Sequence, residues 1–277
     1  MILLLIALAA AVAIGLSLAR AVRRRHPEGP VDGARREWIN VEDLTGPVVT
    51  LVALLLAFML VQANNSYQRA EEHAATEAGL VESEYNAAGL LDEPDQGTLQ
   101  GDLVCYARAV ADLGWPRMVE GEAHPVVNLW SAQIQQDLRV AVDTDADRVG
   151  LSNLVPLQSD LTTSRDERLA ETKPAVPAAM TWLIELAALL VIVLLIGFTW
   201  HLRRLVRLSL VLTIGVLFLL LVVGINELDT PFSGAISISP DRMKAVSARI
   251  ESGGVDVTGL CAADGSPVAG SSYSLGP

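Results

Sequence analysis

The side chains of this chain that could do chemistry are mostly carboxylates, and their spacings are weak signatures. Asp143-x-Asp145-x-Asp147 opens like a calcium loop. Arg148 stands where that loop needs glycine, and Leu154 where it needs a bidentate Glu, so the run reads as a solvated turn between helices. His73 and Glu77 lie one helical turn apart beside Glu72. Two or three ligands without a second histidine make a weak metal site, and a solvated acidic helix face is the expected reading. His26 and His201 sit among arginines and read as parts of basic loops. The sequence holds no glycine-rich phosphate loop, no G-x-S-x-G elbow and no HExxH helix. No nucleophile, base and oxyanion donor can be assembled. The expected protein is therefore not an enzyme, with no cofactor and no metal.

Two cysteines, Cys105 and Cys261, leave two readings. One is a disulfide tying the C-terminal segment to the middle of the chain. The other is a pair of unrelated buried thiols, because sequence alone does not bring two Cα atoms within reach.

The elements that must position these residues are unusual. Hydrophobic residues make up 51% of the chain and fall in blocks: Ile2–Ala19, Gly46–Gln62, Ala178–Trp200 and Leu208–Ile225. A membrane-spanning helix needs about 20 mostly apolar residues, and all four blocks approach that. Lys and Arg are retained on the cytoplasmic side. Arg20, Arg23, Arg24, Arg25, Arg35 and Arg36 follow the first block, and Arg203, Arg204 and Arg207 follow the third. Both short loops are thus expected in the cytoplasm, with both termini and residues 63–177 outside. The first block lacks a basic segment ahead of it, so it reads as a retained anchor rather than a signal peptide.

Charge follows the same division. Residues 63–177 carry 20 acidic and 8 basic side chains, which accounts for the whole net charge of −12. An acidic outer segment argues against nucleic acid, whose binding rests on Lys and Arg. Arg outnumbers Lys by 18 to 2, which suits a bacterium of high GC content.

From Pro47 no proline appears until Pro94. The second spanning helix is therefore expected to continue outward to about Leu91, projecting about 43 Å at 1.5 Å per residue. Its packing stripe is Tyr67, Ala70, Ala74, Ala78, Val81, Tyr85 and Ala88, with Glu71, Glu72, Glu77, Glu82 and Glu84 mostly off it. Further helices are expected at about 95–113, ended by Pro116, at about 125–142, and from near Asp147 toward Pro174 and Pro177.

The expected fold class is an all-α membrane protein with four transmembrane helices. An extracytoplasmic antiparallel helical bundle is built on extensions of the second and third. In order, 1–19 spans, 20–45 is a basic cytoplasmic loop, 46–62 spans, and 63–177 is the acidic bundle. Then 178–200 spans, 201–207 is a cytoplasmic loop, 208–225 spans, 226–261 is an outer loop with a short helix, and 262–277 is a disordered tail. The expected location is a bacterial plasma membrane.

Within these elements, Glu185 is a carboxylate inside an apolar block, a functional candidate or a headgroup-level Glu paired with Arg168. With Glu227 and Asp229 it could form an acidic ring at a pore mouth. Arg165 and Arg168 are expected to pair with Glu227 or Asp229, or to meet lipid headgroups.

The string Glu227-Leu228-Asp229-x-Pro231-Phe232-Ser233-Gly234, followed by Ile-Ser-Ile-Ser-Pro, is the most specific in the chain. With Arg165-x-x-Arg168-Leu169 and the acidic helix after the second block, it resembles the bestrophin-like domain family of bacterial membrane proteins over about residues 45–250. The resemblance implies a link to bestrophins, pentameric anion channels with four spanning helices per subunit. Bestrophins carry a large cytoplasmic domain between the second and third spans, whereas the arginines here place that segment outside. The leading expectation is an accessory or interaction subunit acting through its outer bundle. Its partners would be membrane lipids and another membrane protein or a second copy. The alternative is an oligomeric bestrophin-like channel favouring cations.

Overall fold

A computed structural model describes residues 41–143, 148–198 and 204–268. The first apolar block, most of the loop after it, Asp145, Asp147, His201 and residues 269–277 lie outside the described residues. The described elements are helical: α1 (Val41–Ala88), α2 (Asp95–Ala109), a π-helical turn (Val110–Gly114), α3 (Trp115–Met118), α4 (Pro125–Asp143), α5 (Arg148–Ala170), α6 (Ala178–Phe198), α7 (Arg204–Leu228) and α8 (Asp241–Glu251).

The absence of proline from 48 to 93 lets α1 run unbroken for 48 residues. At Pro116 the outcome differs from the expectation. Pro116 does not end its helix. The chain widens into the π turn just before it, and Pro116 then occupies the first turn of α3, where a missing N–H is not needed. Pro156 lies inside α5.

The chain divides into two units, residues 1–64 with 175–226, and residues 65–174 with 227–277. In the first unit the helices present apolar side chains outward, including Leu54, Phe58, Trp182, Leu186, Leu212 and Leu220, all more than 60% exposed. The buried positions of α1 there are Val52, Leu56, Met59 and Ala63, one helical seam. Gly46–Ala88 and Leu205–Leu228 are long and apolar enough to cross a membrane, and Ala179–Leu194 is a shorter apolar stretch.

The second unit has a dense core. Ala70, Ala74, Val81, Leu103, Tyr106, Trp130, Ile134, Leu154, Phe232 and Met243 share one buried cluster. Carboxylates enter it as well: Glu77, Glu84 and Asp102 are each no more than 1% exposed. This corrects the solvated acidic face expected for Glu77 and Glu84.

Cys105 and Cys261 are joined by a disulfide with Cα atoms 5.9 Å apart. The expected disordered tail is in fact ordered from 262 to 268. The Ala262 N–H donates to the Ser266 carbonyl at 2.8 Å, and Val268 N–H to Leu260 at 3.1 Å. Asp264 accepts from the Ser266 N–H at 2.9 Å, an Asx turn, and Gly265 takes φ +79°. Trp130 Nε1 donates to the Gly265 carbonyl at 2.7 Å. A Cβ at Gly265 would collide with the backbone of Ala109. Gly, Ser and Asp in this stretch are turn chemistry seated on α2, not a solvated tail.

Candidate functional site

The loop after α7 is built by its own sequence. Glu227, in the last turn of α7, accepts the Ala235 N–H at 2.6 Å across the turn. Gly234 lies between them with φ +89°, a backbone region that favours glycine, and a Cβ there would strike the Glu227 carboxylate. The Ser233 N–H closes onto Thr230 at 3.0 Å and the Ile238 N–H onto Pro231 at 2.8 Å. Pro231, Phe232 and Asp229 are buried.

That loop meets the core through aromatic groups. The Phe232 ring stands edge-on to Trp115, with centroids 5.7 Å apart at 80°. Trp115 Nε1 donates to the Ile238 carbonyl at 2.9 Å, so one side chain holds both ends of the loop. The π turn sets the direction of Trp115, because it rephases the helix just before that residue. The Arg168 guanidinium lies over the Trp115 ring, 5.4 Å from its centroid.

Arg168 is 2% exposed and forks onto Glu77, donating Nε to one carboxylate oxygen and Nη2 to the other at 3.1 Å. Tyr106 donates to the same Glu77 at 2.6 Å. Burial, reinforced by the Glu77 charge, pushes the Tyr106 phenol well above its ordinary value, so it stays a donor. A low-dielectric pair with satisfied oxygens is strong only while both partners remain.

Two further buried acids adjoin this core. Burial pushes Glu84 up to about 8. The Gln158 amide, with its nitrogen toward Glu84, donates to the two oxygens at 2.8 and 3.1 Å. Asp102 is pushed up to about 9 by burial first, then by hydrogen bonding to and the charge of Asp137. Neither Asp102 oxygen receives a hydrogen bond, which suits a protonated carboxyl donating to Asp137.

These positions correct several expectations. Arg168, expected beside another carboxylate, pairs with Glu77, because a guanidinium inside a core needs a carboxylate inside the same core. Arg165 donates to Asn128, and to Ser131 at 3.4 Å. Glu227 accepts the Ala235 N–H within its own loop, and Asp229 is buried. Glu185 is half-buried on α6. His73 faces Glu167 at 3.0 Å instead of sharing a metal with Glu77. Among the described residues no group of three His, Cys, Asp or Glu side chains could hold a metal ion. Sequence reasoning gave Glu77 no partner in the core and assigned no role to Trp115 or Asp102. One available signal was the register Glu77, Val81, Glu84, Ala88, which continues the apolar stripe at spacings of four, three and four.

The sequence model of the Bestrophin-like domain matches residues 6–243. The chain belongs to the Bestrophin-like domain family. Its fold is that of solved bacterial relatives. A Klebsiella pneumoniae bestrophin homologue superposes with TM-score 0.67 at 11% identity, covering 90% of this chain and 96% of that one. A point variant of that homologue gives 0.68 at 11%, covering 90% and 98%. A structure described as a membrane protein gives 0.65 at 13%, covering 94% and 99%. At such identity the likeness speaks for the fold alone. No curated protein matches the sequence. In this Bestrophin-like chain the loop string Glu227–Gly234 is held by the Glu227 carboxylate, the left-handed Gly234 and the Phe232 ring against Trp115.

Proposed function

We propose that this protein is one subunit of an oligomeric ion channel of bestrophin type, held by four spanning helices and favouring cations. The observation that carries the reading is the family match across residues 6–243. It supports the channel alternative and lends nothing to an accessory subunit. Self-association in the membrane fits the apolar outward faces of α6 and α7, which a water-soluble chain would not leave open. The reading is non-enzymatic.

Residues 63–177 and both termini face outward from a bacterial inner membrane in this reading, with 63–177 forming the antiparallel bundle. Two observations support that side. The arginine clusters fall in the loops after the first and third apolar blocks. The Cys105–Cys261 disulfide belongs to a compartment where disulfides persist. The excess of acidic over basic side chains in 63–177 would draw cations toward the membrane.

The test is purification in mild detergent, native mass measurement, and reconstitution into planar bilayers under a KCl gradient. A homo-oligomer whose reversal potential moves toward the potassium equilibrium value is expected. A monomer, or a stable complex with a different membrane protein and no current, would overturn the channel. A cysteine introduced at Asp143 should react with a membrane-impermeant maleimide in intact cells; labelling only after lysis would reverse the orientation.

A further inference from the structure

Two carboxyl groups face each other where α2 packs on α4. Asp102 of α2 is fully buried, and neither of its oxygens receives a hydrogen bond. Asp137 of α4 stands within hydrogen-bonding reach of it. Two carboxylates that close do not both stay ionised inside a core, so one proton is shared between them. Asp137 is half-buried and already accepts Gln133 Nε2 at 2.9 Å. It is therefore the charged partner and Asp102 the donor, and the exposed side of Asp137 gives the proton a route to water.

The other charged groups brought to α2 have partners of their own. From α1 come Glu77 and Glu84, held by Arg168 and by Gln158. From α8 come Lys244, 3.5 Å from Asp112, and Glu251, 2.8 Å from Arg108. The segment after α8 lays Val255, Val257 and Leu260 over Gly101, the neighbour of Asp102. Asp137 is thus the charge that acts on Asp102.

The two halves of α4 are fastened differently. In the first half the His124 ring accepts the Val126 N–H at 3.2 Å, and Trp130 Nε1 donates to the Gly265 carbonyl at 2.7 Å. Arg165 of α5 donates to Asn128 and Ser131 there as well. The second half buries Ile134, Leu138 and Ala141. Its polar ties to other helices are a 3.4 Å bond from Gln135 to Thr162 and the proton shared with Asp102. Removing that proton leaves two like charges in contact under the loosely tied half, while the first half keeps every bond named here.

We infer that the proton shared by Asp102 and Asp137 is a latch, and that its loss at alkaline pH lets residues 133–143 swing away from α2 about a hinge near Ser131 and Ala132. The device is independent of whether the protein conducts ions. It is local, so it differs from a uniform loss of stability across the second unit.

The experiment is hydrogen–deuterium exchange of the full-length, disulfide-intact protein in detergent at about pH 7 and about pH 10. Mass spectrometry reads the peptides, and rates are corrected for the intrinsic pH dependence of exchange. Peptides from 133–143 should lose protection at the higher pH by about tenfold or more relative to peptides from 125–131. D102N offers Asp137 an amide N–H that does not titrate, so its protection over 133–143 should be the same at both pH values. D137N offers the same N–H to Asp102 from the other side, should behave alike, and decides the matter if D102N does not fold. Unchanged protection in the wild type, equal loss in both halves of α4, or a wild-type loss in the folded variants would overturn the latch.

Discussion

Residues 46–64, 179–198 and 204–226 turn leucine, phenylalanine and tryptophan outward, whereas residues 65–143, 148–174 and 227–268 turn Glu77, Glu84, Asp102 and Arg168 inward. The first unit is distinguished by its exposed apolar side chains, the second by its buried charges. The first is organised for surroundings as apolar as its own interior, where packing against another helix gains little hydrophobic energy. The second folds in water, so its apolar core is driven by burial, and each charge admitted to it must be matched by a partner. Sensitivity to substitution should divide along the same line.

The largest effect should come from separating a buried pair in the second unit. Arg168→Met leaves Glu77 without its guanidinium in the core, at about 3–5 kcal/mol. It should lower the unfolding temperature of the second unit by many degrees, whereas Leu54→Ala on the outward face of α1 should leave it unchanged. Equal losses from both would erase the contrast. The disulfide ranks next, because it closes a 156-residue separation. Cys105→Ser should cost about 2–5 kcal/mol and abolish a mobility difference between reduced and non-reduced protein. An unshifted band in the wild type would refute the bridge.

Gly234→Ala forces a Cβ onto the Glu227 carboxylate at a left-handed position, so a loss of about 1–3 kcal/mol is expected. Glu227→Ala with Gly234→Ala should recover part of it, since the collision is removed while the backbone strain stays. Additive losses would show that the two residues do not meet.

How much of this contrast was readable beforehand depends on the range of the interaction. The long helix from the second apolar block was legible, because proline spacing and a local stripe decide it. So was a short helix within 226–261, which the structure places at Asp241–Glu251. The buried charges were not. Glu77 and Arg168 stand 91 residues apart, and a glutamate on a helix reads as solvated until its partner is known. The π turn before Pro116 was illegible for another reason. A proline's local rule says only that the regular helix cannot pass, and core packing of Trp115 decides what replaces it. The segment 262–268 misled because turn residues and disordered residues share a composition, and only the disulfide and Gly265 against Ala109 separate the two.

Protonation offers a finer probe of the same core. Asp102 and Glu84 keep protons to about pH 9 and about pH 8 when folded, against ordinary values of 3.8 and 4.5. Across those windows the folded protein binds more protons than the unfolded chain, so stability falls as pH rises. Each retained proton contributes about 1.4 kcal/mol per pH unit to that slope. The unfolding temperature should therefore drop between pH 5 and pH 9, and Asp102→Asn should flatten the drop. The same slope in both proteins would mean that Asp102 is already ionised in the core.

The smallest effect isolates burial from charge. Arg249 and Glu82 also join another helix to α1, as Arg168 and Glu77 do, but their side chains are 60% and 28% exposed. Water already solvates these groups, so losing the pair exposes no unmatched charge. Arg249→Gln should change stability by no more than about 1 kcal/mol, and raising salt should reduce even that. Arg168→Met should resist salt, because its cost lies in the uncompensated Glu77 rather than in a screened attraction. If both variants lost comparable stability with the same salt dependence, burial would not be what sets the second unit apart.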